Sequence, residues 1–309
     1  MSIDILMATY NGERFLAAQL DSILAQTNTD WRLFVSDDGS KDGTWEILCG
    51  YAARFPEKIT VRQNAVNSGG SAANFYGMLP LAAADYVMFA DQDDVWLPNK
   101  VEAAFRALRR MEERYGADTP LLVHSDLIVV DERERVLYPS MFALQKLSGT
   151  GRSFAKQLVQ NCVTGCTMMC NRALLEKLTV LPEHSVMHDW WIGLTAACFG
   201  RIGFLKTPYI RYRLHENNVE GAKDYSSLSA SLRMAAKKEQ IRASLERTYR
   251  QAEEFREIYG AELSDERRGI LEAYLRTENA PLPEKWSLLC RYGFWKTGWN
   301  RKAGQLLFG

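Results

Sequence analysis

Short apolar runs that end in polar or acidic turns alternate with helical segments over the first two-thirds of the chain. These runs, which are typical of strands covered on both faces, span residues 3–8, 31–35, 59–62 and 86–90. After the first run, Leu16, Leu20 and Ile23 follow at helical spacing. Such alternation predicts an α/β fold with a mixed, mainly parallel sheet flanked by helices.

A polar turn follows each run, at residues 9–12, 36–40, 67–70 and 91–94. In a parallel sheet of this kind, ligands bind beyond the carboxyl ends of the strands. We therefore expect the functional site at the edge of the sheet where these turns meet.

The remaining chain continues this pattern and then changes character. Residues 121–130 predict a strand, 189–199 a helix, and 201–214 one or two strands. Beyond residue 226, apolar residues keep helical spacing among dense charges, as in an amphipathic helix: Ile241, Leu245, Ala252, Phe255 and Tyr259. We predict one domain over residues 1–221 and a helical C-terminal region over 222–309.

Composition excludes several classes of protein. The 38 basic residues balance the 38 acidic ones, so the chain lacks the excess of Lys and Arg that nucleic-acid binding requires. No apolar run approaches the roughly 20 residues that span a bilayer, and no basic segment of a signal peptide precedes the first strand. These features predict a cytoplasmic protein with no nucleic-acid partner.

The cysteines indicate a reduced protein. Cys162, Cys166 and Cys170 recur every four residues, but no Cys-x-x-Cys pair is present. Structural zinc sites usually pair closely spaced ligands with a second pair elsewhere. We therefore interpret these cysteines as small buried residues and assign neither a disulfide nor a zinc site.

Asp91 and Asp93 directly follow an apolar run, with Gln92 between them. Two carboxylates at a strand end can reach a hard divalent cation, and Mg²⁺ binds diphosphates through a small number of such groups. A solvated acidic turn is the alternative. The preceding buried strand and Pro98, which opens the next helix, favour the ligand site.

Four further residues each leave two interpretations open. In the turn after the second strand, Asp38 can accept a hydrogen bond from a base imide, although Asp, Gly and Ser are also good turn formers and helix caps. Asp189 starts a helix and is either a helix cap or a general base. Arg213 and His215 end a strand and suit a phosphate and a metal, respectively, or a purely structural role.

Residues 8–12, 36–44 and 91–94 resemble, in order and spacing, the inverting nucleotide-sugar glycosyltransferases of family 2, which have a GT-A fold. Residues 164–168, 188–191 and 212–218 look like the bacterial rhamnosyltransferase branch, which builds cell-wall or O-antigen polysaccharides from dTDP-L-rhamnose. The resemblance covers residues 1–220. It implies transfer of L-rhamnose to a hydroxyl of a growing, lipid-linked polysaccharide, with Mg²⁺ or Mn²⁺.

The resemblance also implies roles for single residues. Asp189 matches the position of the catalytic base, although His188 stands where many members carry Glu. The implied metal ligands are Asp93, Asp91 and His215. The implied nucleotide-sugar contacts are Thr9, Tyr10, Asn11, Asp37, Asp38, Asn67, Asp91, Gln92 and Arg213. The implied acceptor contacts are Trp190, Trp191, Thr164 and Gly165.

The sequence departs from the family at one point and leaves two other functions open. Ala73 stands where the family often carries Arg, so a cationic contact expected there is in question. Because Asp38 cannot distinguish uracil from thymine, a UDP-hexose donor is the first alternative. A catalytically inactive nucleotide-sugar-binding protein is the second. A nucleotidyltransferase would carry a glycine-rich loop with Arg or Lys after the first strand, and residues 9–12 lack one.

Residues 285–309 combine basic and aromatic side chains without any acidic residue. Trp, Leu and basic residues together suit a helix at an anionic membrane surface. Packing of the aromatics on the catalytic domain is the other interpretation. The first would place the protein peripherally on the inner face of the plasma membrane.

Overall fold

The computed structural model describes residues 2–145, 147, 152–178, 180, 182–215 and 230–308. The chain forms two compact units in this described part. The first unit comprises residues 1–145, 163–181 and 187–215, and the second comprises 146–162, 182–186 and 216–309. The boundary predicted between residues 221 and 222 lies outside the described residues and stays a prediction.

Strands and helices are numbered along the chain. The strands are β1 (Ile3–Thr9), β2 (Trp31–Asp37), β3 (Ile59–Gln63), β4 (Tyr86–Asp91), β5 (Val95–Trp96), β6 (Leu121–Ser125), β7 (Ile128–Val130), β8 (Val136–Tyr138), β9 (Met169–Asn171), β10 (Arg201–Leu205) and β11 (Ile210–Arg213). The helices are α1 (Leu16–Leu24), α2 (Thr44–Arg54), α3 (Ser71–Met78), α4 (Lys100–Tyr115), α5 (Met141–Leu144), α6 (Phe154–Val159), α7 (Arg172–Leu175), α8 (His188–Phe199), α9 (Ala230–Tyr259), α10 (Asp265–Arg276), α11 (Leu282–Tyr292) and α12 (Trp299–Phe308). Short 3₁₀ turns span Leu79–Leu81 and Gly165–Thr167.

The larger sheet of the first unit has the order β10-β6-β9-β4-β1-β2-β3. Only β9 runs antiparallel to its neighbours among the described strands of this sheet. The predicted mixed, mainly parallel sheet with flanking helices is confirmed. In this sheet Thr9 is paired with Asp37 of β2, and Ala8 with Asp91 of β4. The carboxyl ends of three neighbouring strands therefore bring these polar side chains to one edge.

Apolar side chains on both faces explain why the central strands form. β1 is buried along almost its whole length, and residues 86–90 of β4 are buried throughout. Helix α1 buries Leu16, Leu20 and Ile23 against this core, on the face that their spacing predicts. The sheet is thus a rigid base from which the polar turns extend.

The single strand predicted over residues 121–130 is wrong, because β6 and β7 are separate strands in different sheets. Between them, the carboxylate of Asp126 accepts hydrogen bonds from the backbone N–H groups of Leu127 (2.8 Å) and Phe142 (3.1 Å). This side chain competes with ladder pairing and turns the chain. β7 then joins the smaller sheet, of order β5-β11-β7-β8. Residues 201–214 form two strands, one in each sheet.

The described part of the second unit is helical and contains α6 and α9 to α12. α9 buries four of the five positions that the amphipathic pattern predicts, and the fifth, Ile241, is half-buried. Tyr274 of α10 and Phe294, which follows α11, complete a small aromatic core. Within the described segments, no helix combines the length and apolar character needed to cross a membrane.

Candidate active site

Asp37 organises the turn after β2. Its carboxylate accepts from the Thr9 hydroxyl (3.1 Å), the Ser40 N–H (3.0 Å), the Gln63 amide (2.9 Å) and the Ser40 hydroxyl. A carboxylate has about four acceptor positions, and these bonds use them all. Asp37 is thus held by the protein's own donors, and direct contact with a nucleotide would require one of these bonds to break.

Asp38 is also buried, but the described residues leave part of the hydrogen-bonding capacity of its carboxylate unused. Its Oδ1 accepts from Asn64 Nδ2 (2.8 Å) and Ser68 N (2.8 Å), while its Oδ2 accepts from the Ser68 hydroxyl (2.8 Å). Asn67 Nδ2 also donates to the Asp38 carbonyl, at 2.8 Å. These bonds tie the turn after β3 to the turn after β2. Among the described residues, one acceptor position on Oδ2 stays unused.

The turn after β1 presents the Tyr10 ring. Gln92 binds both backbone polar groups of Tyr10: its Oε1 accepts from the N–H (2.8 Å) and its Nε2 donates to the carbonyl (3.0 Å). Asn11 has a positive φ of 48°, and its Oδ1 accepts from Lys41 N at 2.9 Å. Gln92 and Asn11 therefore fix the loop, whereas the Tyr10 ring is 46% exposed and can stack on a planar group.

Asp91, Asp93 and Asp94 form an acidic cluster at the carboxyl end of β4, and Asp189 lies close enough to influence it. Burial raises the pKa of Asp91 to about 7, with further contributions from the charges of Asp93 and Asp189. Burial and the charges of Asp93 and Asp91 raise the pKa of Asp94 as well. Asp94 Oδ2 is buried without a hydrogen-bond partner among the described residues.

This cluster fits a divalent cation. Buried carboxylates that repel one another are costly unless a positive charge offsets them. Asp91, Asp94 and Cys166 place potential ligand atoms within 4.8 Å of one another. Burial and neighbouring carboxylates raise the pKa of the Cys166 thiol, which keeps it protonated, so the carboxylate oxygens are the suitable ligands for Mg²⁺ or Mn²⁺.

Of the predicted metal ligands, Asp93 and His215 contact each other directly. His215 Nε2 lies 2.7 Å from Asp93 Oδ2, and its ring packs 5.1 Å from the ring of Phe15. Asp91 and Asp93 are half-buried, whereas Asp94 is fully buried. The first two are therefore the carboxylates that a bound diphosphate could approach.

Lys100 is a member of the site that sequence reasoning missed. It is buried, and its ammonium lies 3.2 Å from the centre of the Trp96 ring. Burial lowers its pKa to about 7, although the charges of Asp94 and Asp91 and of Cys166 act in the opposite direction. Lys100 is the first residue of α4, where the helix dipole disfavours a cation. That unfavourable position is the only signal in the sequence.

Arg213 holds the backbone of this region. Its Nε donates to the Asp93 carbonyl (2.9 Å) and its Nη1 to the Glu132 carbonyl (2.7 Å). The guanidinium also stacks 4.7 Å over the ring of Phe15. Arg213 is buried, so it fixes the position of Asp93, and its predicted contact with a phosphate would need it to leave these partners.

Asp189 lies in the first turn of α8 and does not cap its own helix, where Met187 occupies the cap position without a side-chain bond. Instead its Oδ2 accepts from the N–H of Gly165, at 2.9 Å. The next residue, Cys166, places its Sγ within 4.8 Å of carboxylate oxygens of Asp91 and Asp94, and the charge of Asp189 contributes to the raised pKa of Asp91. The structure thus brings the predicted base next to the predicted metal site.

Gly165 leaves room for the side chains at the start of α8. A Cβ at this position would lie 2.8 Å from His188 Nε2 and 3.3 Å from Asp189 Cβ. His188 is buried, with its ring 4.2 Å from that of Phe75, and burial lowers its pKa to about 3. A neutral imidazole therefore adds no charge beside Asp189.

Replacing Gly165 by Ala is expected to lower kcat/KM by about 100-fold, because displacement of a reacting group by about 1 Å can cost that much. The measurement is release of nucleoside diphosphate from a nucleotide sugar, the reaction that the resemblance implies. Gly50→Ala on α2 is the matched control, since a Cβ there meets no atom within 4 Å; we expect full activity and about 0.5–1 kcal/mol more stability. Wild-type rates for Gly165→Ala would contradict the positioning of Asp189 by this turn.

The predicted acceptor contacts differ in what they can reach. Trp190 and Thr164 are half-buried, whereas Trp191 of α8 is fully buried. Trp191 thus has no exposed surface with which to meet an acceptor, because α8 is buried on nearly all sides. Asn217 and Asn218 of the motif at residues 212–218 lie outside the described residues.

Comparisons with known proteins agree on one family. The model of glycosyl transferase family 2 matches residues 4–179. A dTDP-rhamnosyl transferase, RfbG of Shigella flexneri, is 27% identical over 70% of this chain and 74% of its own length. A β-1,3-glucosyltransferase of Escherichia coli, WfgD, named for UDP-Glc and a GlcNAc-diphosphoundecaprenol acceptor, is 25% identical over 72% of this chain and 80% of its own.

A solved structure shows the same fold. Residues 1–349 of S. aureus TarS, in complex with UDP-GlcNAc, superpose with a TM-score of 0.58 at 20% identity, covering 94% of this chain and 80% of that one. The GT-A fold that the sequence motifs imply is confirmed.

Proposed function

The chain belongs to glycosyl transferase family 2, and on that premise we propose that it is an inverting rhamnosyltransferase that uses dTDP-L-rhamnose. The acidic cluster beside Asp189 carries the proposal, because carboxylates that could hold a metal lie there near a carboxylate that could act as a base. The acceptor is a hydroxyl of a growing, lipid-linked cell-surface polysaccharide.

Rhamnose as the sugar is supported by RfbG and by the motifs at residues 164–168, 188–191 and 212–218. A UDP-hexose donor is the alternative, supported by WfgD and by the UDP-GlcNAc that TarS binds. Asp38 does not discriminate between them, since its remaining acceptor position suits the imide N–H that both uracil and thymine offer.

The nucleotide would bind along the turns after β1 and β2. The exposed Tyr10 ring would stack on the base while Asp38 accepts its imide N–H. Thr9, Asn11, Asp37, Asn67 and Gln92 would act mainly by fixing these turns, given the hydrogen bonds they make. The diphosphate would then lie towards Asp91 and Asp93.

Asp91, Asp93 and His215 would hold Mg²⁺ or Mn²⁺, with Asp94 behind them. Bound there, the cation would offset the charge that develops on the departing diphosphate. Arg213 keeps Asp93 in place through its bond to the Asp93 carbonyl. The charge of Lys100 would partly compensate the carboxylates of Asp94 and Asp91.

Transfer would proceed by one displacement at the anomeric carbon. The acceptor hydroxyl attacks from the face opposite the diphosphate, the bond from carbon to the diphosphate oxygen breaks, and the configuration inverts. Asp189 takes the hydroxyl proton, which becomes more acidic as the new bond forms. The bond from Gly165 N holds one carboxylate oxygen and so orients the other.

A lipid-linked acceptor would place the enzyme at the inner face of the plasma membrane. The diphosphoundecaprenol acceptor in the name of WfgD supports such an acceptor. The inactive nucleotide-sugar-binding protein is the weaker candidate, because Asp38, Asp91, Asp93, Asp189 and His215 are all present.

Thermal stabilisation by dTDP, UDP and GDP, each with and without Mn²⁺, tests the donor site. A ligand at about 100 times its dissociation constant adds about 2.7 kcal/mol to the stability of the folded state. We expect the largest shift with dTDP and Mn²⁺ together. A preference for UDP would exclude rhamnose as the transferred sugar and leave the proposed mechanism unchanged. No shift with any nucleotide would contradict the donor site itself.

A further inference from the structure

Five basic side chains of the second unit lie close enough to influence one another, and none has an acidic partner among the described residues. They are Lys156 of α6, Arg247 of α9, Lys296 after α11, and Arg301 and Lys302 of α12. No carboxylate of the described residues forms an ion pair with any of them. Glu246, the nearest acidic residue in sequence to Arg247, pairs instead with Arg250 at 2.5 Å.

Hydrogen bonds hold this group, the cationic cluster, in place. The Lys156 ammonium donates to the Trp295 carbonyl, and the Lys296 ammonium donates to the Ser244 hydroxyl at 3.2 Å. The backbone N–H of Lys296 donates to Gln305 Oε1 at 3.0 Å. A Cβ on Gly304 would lie 2.9 Å from Ile241 Cδ1, so α12 packs closely on α9. The fold therefore fixes the ammonium groups of Lys156 and Lys296, and it places α12, which carries Arg301 and Lys302, against α9, which carries Arg247.

The cations of the cluster act on one another. Burial lowers the pKa of Lys296 to about 8, and the charges of Arg301, Arg247 and Lys156 lower it further. Burial also lowers the pKa of Lys156, with contributions from Lys302 and Arg301. Like charges held together in this way are unfavourable, and an anion bound to them would relieve the repulsion.

Exposed apolar side chains adjoin the cluster. Leu282 and Trp286 are 61% and 52% exposed and lie one turn apart on α11. The Trp286 ring packs edge-on against Trp295, with the ring centres 5.3 Å apart, and the Trp295 carbonyl accepts from Lys156. Trp295 thus contacts both the apolar pair, through Trp286, and the cationic cluster, through Lys156. Trp and Leu beside basic groups suit the boundary between lipid headgroups and acyl chains.

We propose that the cationic cluster together with Leu282 and Trp286 is a docking surface for an anionic lipid membrane. A soluble phosphate ligand would need the cations alone, whereas a bilayer also accounts for the exposed Leu282 and Trp286. The inference rests on the proposed function in one respect: a lipid-linked acceptor would lie at the membrane to which this surface binds.

Sedimentation of the full chain with vesicles tests this surface. We expect binding to phosphatidylcholine vesicles that contain phosphatidylglycerol, weakening with salt, and little binding to phosphatidylcholine alone. Each exposed basic residue near such a surface raises the affinity for the vesicles about fivefold. The triple variant Arg247→Gln, Arg301→Gln, Lys302→Gln should therefore bind on the order of 100-fold more weakly. Trp286→Ser should lower the affinity for the same vesicles about tenfold, because an apolar side chain no longer enters the membrane.

The matched control removes the same charge elsewhere, with Arg110→Gln, Arg114→Gln and Arg133→Gln, all of which are exposed on the first unit. Equal losses in the two triple variants, or equal binding to both vesicle types, would overturn the proposal. Binding of inorganic pyrophosphate without binding of vesicles would replace the lipid by a soluble phosphate. Because no nucleotide is present, failure here leaves the donor experiment unaffected, and failure of that experiment leaves this one interpretable.

Discussion

Asp189→Asn is expected to lower kcat by about 10²- to 10⁴-fold, the range that a positioned general base contributes. The amide oxygen of Asn can still accept the hydrogen bond from Gly165 N, which is 2.9 Å long in the native protein. The turn and the start of α8 should therefore keep their geometry. What is lost is the ability to take a proton from the attacking hydroxyl.

The measurement is the rate of nucleoside diphosphate release, together with thermal stabilisation by the same nucleotide and Mn²⁺. We expect the rate to fall while the stabilisation persists, because Asp189 is proposed to act on the acceptor. Asp118→Asn, an exposed change of the same charge, serves as control. A variant of Asp189 that retains more than a tenth of the wild-type rate would exclude it as the base.

Asp93→Asn is expected to lower turnover by at least about 100-fold by weakening the metal site, because Lewis-acid stabilisation of a leaving group contributes several kcal/mol. The substitution removes one carboxylate from the cluster and keeps an oxygen that can accept from His215 Nε2. Arg213 binds the Asp93 backbone carbonyl, which is unchanged, so the loop should keep its position.

A binding measurement separates a lost metal from a damaged fold. We expect the Mn²⁺-dependent part of the nucleotide-induced thermal shift to disappear in Asp93→Asn, and addition of a chelator to have the same effect on the native protein. Asp85→Asn is the matched control, since Asp85 is an exposed carboxylate at the opposite end of β4. An unchanged Mn²⁺ response in Asp93→Asn would contradict the metal site.

The edge of the sheet could be predicted because its signals are local. The apolar runs that became β1, β2 and β4 are continuous in the sequence, and the polar residues follow them directly. Parallel pairing then aligns their carboxyl ends, so Thr9, Asp37 and Asp91 had to meet. Helical spacing in α1 and α9 was equally informative, since one residue in every three or four faces the core.

The sequence could not predict which role each polar side chain takes within the site. Asp37 and Asp38 are neighbours of the same type, yet the donors around them fill all four acceptor positions of one carboxylate and three of the other. Those donors come from distant turns, so the difference depends on packing. Arg213 likewise has the charge of a phosphate ligand, but the structure uses it to hold the Asp93 carbonyl.

Local patterns therefore establish the fold, the edge of the sheet at which the candidate site lies and the kinds of side chain present there. Burial and long-range contacts establish which carboxylate stays available and how charges interact. Burial places Lys100 beside Asp94 and keeps His188 neutral, and the chain brings Lys156 to Trp295 across 139 residues. The physical reason is that desolvation and Coulomb interactions depend on which groups are close in space, whereas hydrophobic periodicity depends only on the order of residues along the chain.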